Sequence, residues 1–106
     1  MRNLLFITLF LLASTAFAAD PEFRIAIRNH KFEPAELTIP AGKKVKLLIE
    51  NKDATMEEFE SFALAREKII PGKSSTTLPV GPLKPGRYPF FGEFNESTAQ
   101  GVVIAK

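Results

Sequence analysis

Glu57, Glu58 and Glu60 fall within one four-residue stretch around Phe59, in a 106-residue chain that has no cysteine and a single histidine. Carboxylate oxygens are hard donors, suited to iron, manganese and similar cations. A thiolate-tuned electron-transfer centre is excluded by composition alone. Set in a strand, Glu58 and Glu60 project from one face while Phe59 turns to the other and enters a core. On an exposed strand face the same glutamates could equally serve as solvated charge.

The other reactive residue types are sparse. No nucleophile has a partner: there is no Cys/His pair, no Ser/His/Asp set and no phosphate-cradling glycine loop, so hydrolase and transferase chemistry lacks support and no catalytic residue is assigned. His30 is expected in an inter-strand turn as a surface or hydrogen-bonded histidine. Met56, the one methionine beyond Met1, is either packing or a soft copper(I) ligand. The net charge of +2 is too small to argue for nucleic acid. Lys43, Lys44 and Lys46 cluster, as expected of a solvated strand face and a guarded edge.

The elements that must hold these residues read as strands. Phe23, Ile25 and Ile27 alternate with Arg24 and Arg28, and Val45, Leu47 and Ile49 alternate with Lys44, Lys46 and Glu50. Period two predicts half-buried β-structure. Pro40-Ala41-Gly42, Pro71-Gly72 and Pro85-Gly86 separate the runs as turns. The predicted strands are Glu22–Arg28, Glu36–Ile39, Lys44–Asn51, Glu57–Phe62, Arg66–Ile69, Ser75–Val80 and Arg87–Phe94, with Gly101–Ala105 as an eighth. Ala63 to Lys68 is the best helical candidate and fits a strand as well. Leu83-Lys84-Pro85-Gly86-Arg87-Tyr88 has the form of a tyrosine corner, in which the phenol ties a strand back to the preceding turn.

Residues 1–18 read as a cleaved secretory signal: Arg2 is followed by the apolar run Leu4 to Leu12, too short to span a bilayer, and by the small-x-small pattern Ala16-Phe17-Ala18. The domain is then 19–106, about ninety residues held by packing without disulfides, and no cysteine at the cleavage point could carry lipid. A free exported protein is expected.

Along nearly all of that domain the chain resembles the cupredoxin family. The resemblance rests on His30-Lys31-Phe32-Glu33-Pro34, Leu37-Thr38-Ile39-Pro40-Ala41-Gly42, Val45-Lys46-Leu47 and Asn51-Lys52-Asp53. It implies an all-β Greek-key sandwich of about seven to eight strands. Glu58-Phe59-Glu60, Arg66-Glu67-Lys68-Ile69-Ile70-Pro71-Gly72 and Phe90-Phe91-Gly92-Glu93-Phe94 resemble cupredoxins of bacterial periplasmic iron uptake, both the EfeO-type domain and the stand-alone Ftr-type protein. Blue-copper ligand places of the family fall near Glu57, Gly92, Asn95 and Gln100, none of which keeps its ligand type, so no blue-copper centre is expected. The places of the EfeO-type cysteine pair fall on Phe32 and Gly92. Stand-alone relatives tend to carry histidine where this chain has Asn95.

The resemblance also brings Glu67 and Glu93 toward the Glu58/Glu60 face, giving Glu58, Glu67, Glu93 and Glu60 as the metal-ligand set and an iron or copper ion as its occupant. It implies a periplasmic accessory of ferrous-iron uptake, with a periplasmic iron-binding protein and an inner-membrane permease as partners. The other function class the sequence fits is a metal-free sandwich serving as an interaction module, its ligand places lost.

Overall fold

A computed structural model describes residues 19–106 and shows nine strands in two sheets, with almost no helix. The signal segment expected over 1–18 lies outside the described residues. In chain order the strands are β1 (Glu22–Arg28), β2 (Lys31–Glu33), β3 (Glu36–Ile39), β4 (Val45–Asn51), β5 (Glu57–Ser61), β6 (Arg66–Ile70), β7 (Ser75–Val80), β8 (Gly86–Gly92) and β9 (Gln100–Ala105). One sheet runs β2-β1-β4-β7 and the other β3-β9-β8-β5-β6. The expected all-β sandwich is therefore present. Among the described residues no helix is long and apolar enough to cross a membrane.

Alternation builds the core as expected. Ile25, Ile27, Val45, Leu47 and Ile49 from the first sheet are buried, as are Ile39, Phe59, Phe90, Val103 and Ala105 from the second. Phe32, Phe59 and Phe90 form the aromatic centre, with ring centroids 6.1, 4.9 and 5.0 Å apart. Phe32, one of the two implied cysteine places, is thus a core side chain. The tyrosine corner is present too: the Tyr88 hydroxyl donates to the Lys84 carbonyl at 2.7 Å.

The sequence missed β2. Asn29 and His30 both adopt positive φ, 52° and 58°, and Arg28 pairs with Lys31, so a two-residue hairpin of type I′ joins β1 to a short antiparallel partner. Three residues are too few to display a period. Several strand ends also shift, most of them by one residue. Ala63 to Lys68 is a turn followed by β6, and β8 stops at Gly92, before the expected Phe94. Lys46 is exposed on β4 as expected, but β4 lies between β1 and β7 and is no edge. The edge strands are β2, β7, β3 and β6, and on β6 exposed Lys68 lies opposite core Phe59, a charge that discourages further pairing.

A candidate metal centre on the outer sheet face

β5 carries the acidic motif between β6 and β8 in the five-stranded sheet. Its core-facing positions are Glu57, Phe59 and Ser61; Glu58 and Glu60 face outward. Antiparallel register sets Glu60 directly opposite Glu67 on β6, and Phe59 opposite Gly92 at the end of β8. The residue after Gly92 is Glu93, which opens a 3-10 turn beside Glu58. The structure thus brings Glu58, Glu60, Glu67 and Glu93 together, with one carboxylate oxygen from each lying within 4.8 Å of the others. Two trans ligands of one ion are separated by twice the metal–oxygen distance. Half of 4.8 Å is 2.4 Å, so one hard cation fits with little rearrangement.

Nothing neutralises this group. Among the described residues, none of the ion pairs involves any of the four glutamates. Of the two cations flanking Glu67, Lys68 lies opposite Phe59 on the other face of β6, and Arg66 spends its guanidinium on backbone, donating to the Pro79 carbonyl at 2.9 Å and the Ala65 carbonyl at 3.0 Å. Glu58 is only 7 % exposed. A hydrogen bond shared with Glu67, then burial and the Glu93 carboxyl, push its pKa up to about 8. Burial, followed by Glu93 and Glu67, raises Glu60 as well. Glu58 and Glu60 therefore hold protons more readily than free carboxyls, and a cation would displace them.

The places implied for blue-copper ligands have become a separate, self-satisfied contact on the core side of the same strand. Glu57 is 1 % exposed, and its carboxylate accepts from the backbone N–H of Glu58 at 3.0 Å, from that of Phe94 at 2.9 Å and from Asn95 Nδ2 at 2.7 Å. This explains why β8 ends early: beyond Gly92 the backbone donors turn inward to a side chain and leave the ladder. Gly92 is required there, since a Cβ would stand 2.7 Å from the Glu57 carboxyl carbon and 2.7 Å from Ala99 Cβ. Gln100 opens β9, its amide bonded to the Glu96 carbonyl at 2.7 Å. The role of Glu57 was not foreseen. Its signal was the two-residue step that sets it on the Phe59 face.

His30 is exposed, as expected, and lies near the loop before β5 and the turn after β8. It shares a depression with Thr55, Met56, Phe94 and Asn95. Asp53 makes this happen by accepting from the backbone N–H of Asn29 at 2.8 Å and of His30 at 2.9 Å, which ties the β1–β2 turn to the β4–β5 loop.

Comparison with known proteins agrees with this architecture. Residues 2–105 match the family described as the cupredoxin-like domain. An uncharacterized protein of Rickettsia prowazekii is 47 % identical over 83 residues, 78 % of this chain and 66 % of that protein, so the chain spans just under two thirds of the relative's length. Among solved structures, auracyanin A, a "blue" copper protein from Chloroflexus aurantiacus, superposes with a TM-score of 0.71 at 14 % identity, covering 83 % of this chain and 100 % of that one. A purple cupredoxin from Nitrosopumilus maritimus gives 0.62 at 17 % identity, covering 78 % and 98 %. At such identities the likeness is one of fold.

Proposed function

This chain belongs to the cupredoxin-like domain family, and from that premise we propose that it is an exported accessory of ferrous-iron uptake whose outer-face carboxylates hold the ion in transit. The observation that carries the proposal is the convergence of Glu58, Glu60, Glu67 and Glu93 within 4.8 Å, none of them in an ion pair among the described residues. Hard oxygen donors suit ferrous, ferric and manganous ions, and accumulated negative charge favours the higher iron charge. Electron loss from bound ferrous ion to an acceptor on a partner is thereby eased. A groove of about 280 Å³ lined by Glu60, Phe62, Arg66 and Glu67 adjoins the cluster and gives it an approach from solvent. A periplasmic iron-binding protein and an inner-membrane permease are the partners this role requires, and the expected signal over 1–18 would deliver the chain to the periplasm.

Calorimetric titration of the purified domain with ferrous, ferric, manganous and cupric ions tests the site. One saturable hard-ion site, weakened at least tenfold by Glu58→Gln with Glu67→Gln, is expected. Deletion of the gene should slow ferrous-iron uptake when iron is limiting. The second reading, a metal-free interaction module, draws on the Glu57–Asn95 contact that has closed the family's ligand places. It requires that no metal saturates the domain and that the paired glutamine variant behaves as the parent does.

A further inference from the structure

We propose that His30 and Met56 form a second metal site, specific for cuprous ion, at the end of the sandwich and distinct from the carboxylate cluster. Both residues line one open depression of about 350 Å³, whose other lining residues, Thr55, Phe94 and Asn95, carry no charge. Thioether sulfur and imidazole nitrogen are soft and borderline donors, the combination that selects copper(I) over hard cations. Met56 is 55 % exposed and Phe94 48 %, so the thioether is accessible and an aromatic wall stands beside it.

Three features of the backbone place these donors together. Asp53 anchors the histidine turn to the loop that ends at Met56, through the two backbone bonds described above. Asn51 orders the same loop, its Nδ2 donating to the Thr55 carbonyl at 2.8 Å. The Asp53 carboxylate also lies 3.6 Å from His30 Nδ1, which leaves Nε2 as the free donor. At that distance the carboxylate makes no hydrogen bond to the ring, but its negative charge lies on the Nδ1 side, opposite the nitrogen offered to a metal.

The turn allows the imidazole to be tested apart from the fold. Both central residues of a type I′ turn need positive φ, and glycine is the least costly residue at the second. This chain has histidine there, at φ 58°. Glycine would keep the same turn, so the imidazole can be removed without disturbing the hairpin.

The site lies outside the buried Glu57–Asn95 contact and shares no residue with the outer-face glutamates, so it stands or falls independently of the iron proposal. Two protein donors leave coordination open to a third ligand from a partner, a condition suited to transfer.

The test is competition for cuprous ion between the purified protein and a chromophoric copper(I) chelator, under reducing, oxygen-free conditions. One equivalent should be withdrawn, and the Met56 methyl resonance should shift on loading. His30→Gly should weaken binding at least tenfold while the fold is kept, because glycine suits the turn; an unchanged thermal midpoint checks this. Met56→Leu should weaken binding to a similar degree, and Glu58→Gln with Glu67→Gln should leave it intact. The proposal is overturned if the chelator keeps all the copper, if His30→Gly and Met56→Leu both bind as the parent does, or if only the glutamine pair abolishes binding.

Discussion

Glu57 and Glu58 are adjacent in sequence and opposite in circumstance, which makes them the sharpest probes at the residue scale. Glu57 is buried among three donors, so its carboxyl oxygens are satisfied within the protein. Replacing it by alanine strands the Phe94 N–H and the Asn95 amide and opens a void; a loss of about 3 kcal/mol in unfolding free energy is expected, measured by urea denaturation. Glu58 has no donor besides neighbouring carboxyls, so its charge is in surplus until a cation arrives. Glu58→Gln should therefore stabilise the metal-free protein at pH 8 and cost it at least tenfold in hard-ion affinity. A glutamine that destabilised the apo protein at that pH would show the carboxylate satisfied by other means.

At the scale of elements, the outer-face site exists because β5 is gripped on both sides and at its base. Asn51 does the gripping at the base: 2 % exposed, it donates to the Thr55, Ile70 and Pro71 carbonyls at 2.8, 3.0 and 3.3 Å and accepts from the Asp53 N–H at 3.0 Å. It thus joins the end of β4, the loop before β5 and the end of β6. Asn51→Leu should cost about 2 to 3 kcal/mol by leaving buried carbonyls unpaired, and thermal denaturation should register it. It should also lower hard-ion affinity, because Glu67 reaches Glu58 only through the β5–β6 register. Much of this arrangement was legible in the chain. Strict alternation exposed β1 and β4, and the two-residue step from Glu58 to Glu60 placed both on one face. The convergence of Glu67 and Glu93 came from family resemblance, since no local period reports which strands lie beside one another. What escaped was set by single side chains acting at a distance. Asp53 draws the His30 turn across a separation of 23 residues and so gives β2 its place, and Glu57 captures the Phe94 N–H and ends β8.

For the whole molecule, the opposed shifts of its carboxyls dictate how stability runs with pH. Lys52, by hydrogen bond and by charge, holds Glu50 below its ordinary value, and the His30 backbone N–H does the same for Asp53. Groups lowered on folding add stability above their unfolded pKa values, and lose it as pH falls through the folded ones. Glu58 acts the other way. Its pKa rises on folding from 4.5 to about 8, so between those values the native state keeps a proton the unfolded chain has released. Linkage then makes stability fall as pH climbs through that window, with Glu60 adding in the same direction. The metal-free protein should accordingly be most stable near the lower end of the window, and its urea midpoint should decline from there toward pH 8. A bound cation must reverse the trend, because it displaces the protons that neutralise the cluster and binds more tightly as they leave. At a hundredfold excess of manganous ion over its dissociation constant the gain should be about 2.7 kcal/mol. At one fixed metal concentration the gain should be larger at pH 8 than at pH 5.5. Urea midpoints at the two pH values, with and without metal, measure both slopes. The decline in the apo protein should disappear in Glu58→Gln; a decline that persists there would place its origin away from the outer face, and a metal effect indifferent to pH would detach the ion from these carboxylates.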